Sequence, residues 1–239
     1  MIDGVFVILT AGSFIAAVLG AAFSAGGALI ILAITSTVLP VQAIVPIHST
    51  LLVGSTAART VMFREHIDWK IVWPFMAGSL VGAAIGARTY IELPEAIIAT
   101  AIAILMIVAI WLPSVSWRPK IRHPWAIVGF LHTLLSTLFA YGAVFHSVIL
   151  HTSLRRRQIV GTMAGALLGM SVLKIAGYVI VGFDYEPYYA VIAAAVVANI
   201  VGTFVGKQLG EFLPERIFRL VFRVLVTVTA IRLLYTALV

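Results

Sequence analysis

The sequence predicts an all-α integral membrane protein made of two inverted repeats, each with four long transmembrane helices and one short broken or half-helix. Three observations predict it: an apolar composition poor in charge, ten apolar runs of which two are short, and a motif that recurs 120 residues along the chain. Of 239 residues, 62% are hydrophobic and 10% charged, where a soluble domain carries about 25% charged residues. A span takes roughly 20 apolar residues, so this length holds about eight to ten spans and no separate soluble domain. Lipid offers no partner for backbone groups, and the period-2 pattern of a barrel strand is absent, so the runs read as helices. The net charge of +7 comes from Lys and Arg lying mostly between apolar runs, as topology signals rather than a polyanion patch, and nucleic acid is not an expected partner. There is no cysteine, hence no disulfide framework and no thiolate chemistry. Met1-Ile2-Asp3-Gly4 has no basic n-region and reads as the start of the first helix rather than as a signal peptide.

In order, the runs are Val5 to Phe23, a short one from Ala28 to Leu39, Val41 to Phe63, Trp69 to Ala87, Pro94 to Leu112, Trp125 to Ala140, a short one from Ala143 to Leu150, Ile159 to Val181, Tyr188 to Gly206, and Ile217 to Val239. Eight are long enough to span. Trp69, Trp73, Trp111, Trp117, Trp125, Tyr185, Tyr188 and Tyr189 fall at run ends, where amphipathic rings favour the interface. The motif Val81-Gly82-x3-Gly86-x6-Leu93-Pro94-Glu95-x-Ile97 returns as Val201-Gly202-x3-Gly206-x6-Leu213-Pro214-Glu215-x-Ile217. At an offset of 115, Gly27-Ala28 falls on Gly142-Ala143, Gly54 on Gly169 and Arg59 on Lys174. The chain therefore divides into a first membrane repeat at 1–115, a cytoplasmic linker at 116–123 and a second membrane repeat at 124–239, forming one transport domain.

Orientation follows from Lys and Arg. The loop at 64–70 has Arg64 and Lys70, the loop at 113–124 has Arg118, Lys120 and Arg122, and Arg155-Arg156-Arg157 follows the second short run. All should face the cytoplasm. The repeat mate of the first loop, Phe183-Asp184-Tyr185-Glu186-Pro187, has no positive charge and should face outside. Equivalent loops on opposite sides make the repeats inverted, so each short segment must supply a fifth pass, and both termini should lie outside the cytoplasm.

Inverted repeats with short, Gly-interrupted helices at matching positions are a pattern of secondary transporters. A half-helix start exposes unpaired N–H groups and partial positive charge, so it holds an anion without burying a full side-chain charge. The candidate starts are Ser24-Ala25-Gly26-Gly27-Ala28 and Ala140-Tyr141-Gly142-Ala143, where glycine lets the backbone turn and approach a ligand; small residues also serve tight helix packing. Arg59 and Lys174 are sharper, because a cation within an apolar helix costs at least ~2.5 kcal/mol and needs a partner, water or a function. Arg59 can snorkel to the nearby surface; Lys174 lies two turns inside Val181. His48, Ser55 and Arg59 share one helix face, with Ser171 beside Lys174 on the mate helix. Ser49, Tyr141, Thr162 and Asn199 complete the candidate substrate-binding set, Asn199 also suiting an interhelical hydrogen bond. His132, His146 and His151 lack metal-ligand spacing and read as packing or interface residues; no metal and no cofactor is expected. Every carboxylate lies at a run end, which argues against a carboxylate relay or a cation site. No nucleophile–base pair, HExxH, P-loop or GxGxxG occurs, so neither an enzyme nor ATP coupling is expected.

Taken together, Ala25-Gly26-Gly27, the short run ending at Pro40, His48-Ser49-Thr50, Ile67-Asp68-Trp69, Val160-Gly161-Thr162 and Lys174-x3-Tyr178-x3-Gly182 resemble the TauE/SafE family of sulfite and organosulfonate exporters. The first glycine turn is reduced here to Gly26-Gly27 and the second to Gly142, and His48 stands where that family usually has glycine. The resemblance implies export of a sulfur-containing anion such as sulfite or sulfoacetate from a prokaryotic cell across its inner membrane, driven by the membrane potential or a proton gradient. Alternating access is the expected mode, with protons a candidate coupling ion and a homodimer a candidate assembly. An anion channel, and a scaffold or assembly subunit that transports nothing, are the competing readings.

Overall fold

A computed structural model describes residues 2–23, 26–112, 124–209 and 215–238. Among these residues every regular element is a helix. The first half holds α1 (Ile2–Ala22), α2 (Gly27–Val38), α3 (Val41–Met62), α4 (Trp69–Glu92) and α5 (Glu95–Trp111), and the second holds α6 (Trp125–Phe139), α7 (Ala143–Ile149), α8 (Arg156–Ile180), α9 (Tyr189–Leu209) and α10 (Glu215–Leu238). Their limits follow from local chemistry. Pro40 ends the short α2 and caps α3 at φ −61°, a value its ring imposes. Asp68 accepts a hydrogen bond from the Lys70 N–H at 3.0 Å to start α4, as an N-cap carboxylate should. Pro94 separates α4 from α5.

Five helices are long and apolar enough to cross a membrane among the described residues: Gly4–Ala22, Val41–Met62, Trp69–Glu92, Arg156–Ile180 and Glu186–Leu209. The sequence led to an expectation of eight. Glu95–Trp111 is 17 residues long and Trp125–Phe139 is 15, so at about 1.5 Å per residue they run to roughly 25 and 22 Å. The third, α10, has 24 residues but carries Arg216, Arg219, Arg223 and Arg232. The loop cations Arg118, Lys120 and Arg122, with Trp117, lie outside the described residues, as do Leu213 and Pro214 of the recurring motif. Trp69, Trp73, Trp111 and Tyr189 are exposed, as interface rings should be, whereas Tyr185 is buried.

α3 runs through the middle; 72% of its apolar window is buried, against 33% in α1. It packs against α8 and α9, while α4 packs on α6, α1 on α9 and α5 on α10. Glycines fix these pairs by allowing backbone to touch backbone. A Cβ added at Gly82 would meet the Phe130 carbonyl at 2.5 Å, and one at Gly202 the Phe14 carbonyl at 2.6 Å. Gly86 likewise faces Thr137, and Gly206 the Val18 backbone. Because Gly78, Gly82 and Gly86 meet Ala126, Phe130 and Thr137 in that order, α4 and α6 run parallel. By contrast α3 and α8 run antiparallel. At one end Gly161 abuts the Phe63 carbonyl; at the other the Tyr90 hydroxyl donates to the Val41 carbonyl at 3.0 Å while its ring packs edge-on to Tyr178 at 5.5 Å.

Candidate functional site

Lys174 and Ser136 meet where α6 and α8 come together, with two histidines in their neighbourhood. Lys174 is only 1% exposed, and its Nζ donates to the Ser136 carbonyl at 2.8 Å and to Ser136 Oγ at 2.9 Å. Ser136 is carried by α6, whose polar side chains His132, Thr133, Ser136 and Thr137 recur at i, i+1, i+4 and i+5 and are all buried. His48 of α3 and His132 of α6 both lie within electrostatic reach of Lys174. Each imidazole is bound to one of the short helices. His48 Nε2 lies 3.0 Å from the Ala28 carbonyl, in the first turn of α2; a carbonyl only accepts, so Nε2 carries a proton. His132 Nδ1 accepts the Phe145 N–H of α7 at 3.1 Å, so that nitrogen carries no proton, and the ring packs at a tilt to Phe75 and edge-on to Phe145.

Arg59 does not turn to the nearby surface. Its guanidinium reaches back to the junction of α1 and α2, 3.5 Å from where a Cβ on Gly20 would sit, and that same Cβ would meet Gly27 Cα at 2.9 Å. It also acts electrostatically on His146 of α7, whose Nδ1 is 3.1 Å from the Gly142 carbonyl. Arg59 is therefore close to the first turns of both short helices. The only ion pair among the described residues is the exposed Arg88–Glu92 pair. Neither Arg59 nor Lys174 has a carboxylate partner among those residues.

The remaining candidates divide by what their polar atoms bind. Ser49 and Ser171 donate to Val45 and Leu167 one turn back on their own helices, at 2.7 and 2.9 Å. Thr162 Oγ1 accepts the Asp68 N–H at 2.9 Å and so ties α8 to the start of α4. Asn199 is fully buried against Gly54; its amide donates weakly to Ala195 while Oδ1 has no partner. Ser24 lies outside the described residues. Gly26 adopts φ +86° at the N-cap of α2, where glycine is suited to the turn. In the second half, against expectation, the left-handed position falls on Ala140 at φ +56°, while Gly142 sits at φ −115° beside the half-buried Tyr141. His132 and Ser136 were not among the sequence candidates, although the polar stripe on α6 was there to be read.

The sequence profile described as "Sulfite exporter TauE/SafE" matches residues 9–233. No curated protein and no solved structure matches the chain. Among the described residues, ten α-helices, five of them apolar and long enough to span, agree with the membrane transport for which that family is described. The chain is a multi-pass membrane protein that belongs to the TauE/SafE sulfite exporter family.

Proposed function

We propose that this chain exports a small sulfur-containing anion, such as sulfite or the organosulfonate sulfoacetate, across the prokaryotic inner membrane by alternating access. One observation carries the reading: Lys174 is buried among helices and, among the described residues, is held by the neutral oxygens of Ser136. A cation inside a membrane protein is costly unless compensated, and an anion arriving from the cytoplasm supplies that compensation. Arg59 adds a second cation near the first turns of α2 and α7. Oxyanions suit both groups, since they accept from a guanidinium fork and from an ammonium alike.

The two halves, taken as 1–115 and 124–239, act as inverted repeats in this reading. Its support is geometric: α3 and α8, which occupy matching places in the halves, run antiparallel. In addition, Gly82 and Gly86 seat α4 on α6 much as Gly202 and Gly206 seat α9 on α1. Rocking one half against the other around a fixed midplane site is the motion such a plan allows. The basic loops then face the cytoplasm and both termini face away from it. An inside-negative potential drives an anion outward by about 2.3 kcal/mol per charge per 100 mV.

The test is flux into proteoliposomes of the purified chain, with sulfite, sulfoacetate, taurine and thiosulfate compared. Saturable uptake that shows counterflow and is lost in Lys174→Gln supports the proposal. Non-saturating flux without counterflow refutes alternating access, and no flux with any of the four refutes transport.

A further inference from the structure

We propose that His48 couples anion movement to protons: its Nδ1 takes up one proton as the anion enters the site beside Lys174 and gives it back as the anion leaves. The inference rests on the anion site proposed above and goes beyond it by assigning the coupled ion to one atom. His48 is 2% exposed. Its Nε2 proton is committed to the Ala28 carbonyl at 3.0 Å, and its Nδ1 is buried with no hydrogen-bond partner. A bare, buried Nδ1 is a vacant acceptor. Once protonated it becomes a donor, and the ring keeps its bond to Ala28 in both states.

The second imidazole near Lys174 cannot do this. His132 Nδ1 already accepts the Phe145 N–H, so protonating that nitrogen would break the bond and leave a backbone N–H of α7 unpaired. Among the described residues, few ionisable groups face His48. From the elements packed against α3, α8 presents Lys174, α6 presents His132, and α9 presents the amide of Asn199. Within the helices themselves α2 has no ionisable side chain and α5 only Glu95, at its exposed start. On α3 itself the other charged group is Arg59, directed towards Gly20.

With Lys174 charged, a second positive charge on His48 in the same enclosed site is unfavourable until an anion lies against it. Anion binding and proton uptake therefore support each other, which is linkage in the ordinary thermodynamic sense. The balance is simple: neutral imidazole, one proton from the adjoining water and one anion give an imidazolium–anion pair, and release reverses it. A dianion that travels with one proton still moves one net negative charge, so the inside-negative potential continues to favour its exit.

The experiment is titration calorimetry of the purified full-length chain with sulfate, methanesulfonate and sulfite, in buffers of different ionisation enthalpy. Sulfate and methanesulfonate keep their charge near neutral pH, so protons taken up with them are taken up by the protein. The expected result is close to one proton per bound sulfate or methanesulfonate in the wild type and none in His48→Gln. Wild-type affinity should weaken by about tenfold per pH unit once the ring no longer holds the proton in the free protein, and the variant should show no such slope. If His48→Gln does not fold, His48→Asn replaces it, and the wild-type proton count stands as a test by itself. Binding of sulfate or methanesulfonate without proton uptake, or uptake that persists in the variant, overturns the inference while leaving the anion site intact. Failure of the wild type to bind all three removes the anion site and the coupling together.

Discussion

Replacing Lys174 by methionine should change the protein's stability little while sharply weakening transport, and the structure gives the size of both effects. The ammonium is enclosed with no carboxylate among the described residues, held by one carbonyl and one hydroxyl. Removing a charge from the middle of a membrane helix returns about 2.5 kcal/mol on insertion scales. Against this stands the loss of hydrogen bonds to a charged group, about 1.5–3 kcal/mol each at most. The Ser136 carbonyl, however, also accepts the Ala140 N–H at 3.0 Å, and a serine hydroxyl can turn back to its own helix, so neither oxygen is left without a partner. The stability change should fall within about 1–2 kcal/mol of zero, in the manner of buried charges replaced by apolar isosteres. Function should suffer far more. An anion in contact with the ammonium gains roughly 4 kcal/mol at an effective dielectric near 20, so affinity should fall by about two to three orders of magnitude. Intrinsic tryptophan fluorescence during heating reads the first quantity in detergent, and sulfite counterflow reads the second. A Lys174→Met protein that transports like the wild type would refute the reasoning, as would one destabilised by more than about 3 kcal/mol.

Two further predictions follow from packing. Valine at Gly206 or Gly82 drives side-chain atoms into the Val18 or Phe130 backbone and should cost about 1–3 kcal/mol or more, whereas Gly4→Val, with nothing within 4 Å of an added Cβ, should leave thermal unfolding unchanged. Tyr185 is 6% exposed with a buried, unpartnered hydroxyl, and burial holds its phenol above the usual tyrosine range. Tyr185→Phe should therefore be neutral or raise stability by about 1 kcal/mol, and a clear loss on heating would mean that the hydroxyl has a partner.

Much of this arrangement could be read from residue order because lipid permits few choices. Apolar runs became helices whose starts fall within a residue where Pro40, Asp68 and Pro94 precede them, although α4 continues past Ala87 to Glu92. The glycine spacing shared by 82–86 and 202–206 reads in the sequence as a repeat, and the structure shows that it also seats α4 on α6 and α9 on α1. Lys174 stood out because a cation two turns inside an apolar run has no bland explanation. What could not be read was pairing. Ser136 matters through α8, and nothing in the order of residues on α6 says that α8 lies beside it. Serines and threonines were ambiguous for a related reason: in apolar surroundings each can satisfy itself on a carbonyl three or four residues back, as Ser49 and Ser171 do. The left-handed turn at Ala140 escaped notice because glycine was expected there; the chain takes that turn two residues before Gly142.

The central claim is that the first turn of α7 borders the anion's path beside Lys174. Because the chain has no cysteine, Gly142→Cys gives a single thiol, and the position has room for it: an added Cβ meets only His132 Cε1, at 3.6 Å. Labelling with a membrane-impermeant maleimide, applied to either side of oriented vesicles in the presence and absence of sulfoacetate, is the most direct measurement. The account predicts reaction from both sides, slowed by sulfoacetate on each. A thiol that reacts from neither side, or equally fast at sulfoacetate concentrations that saturate transport, would contradict it.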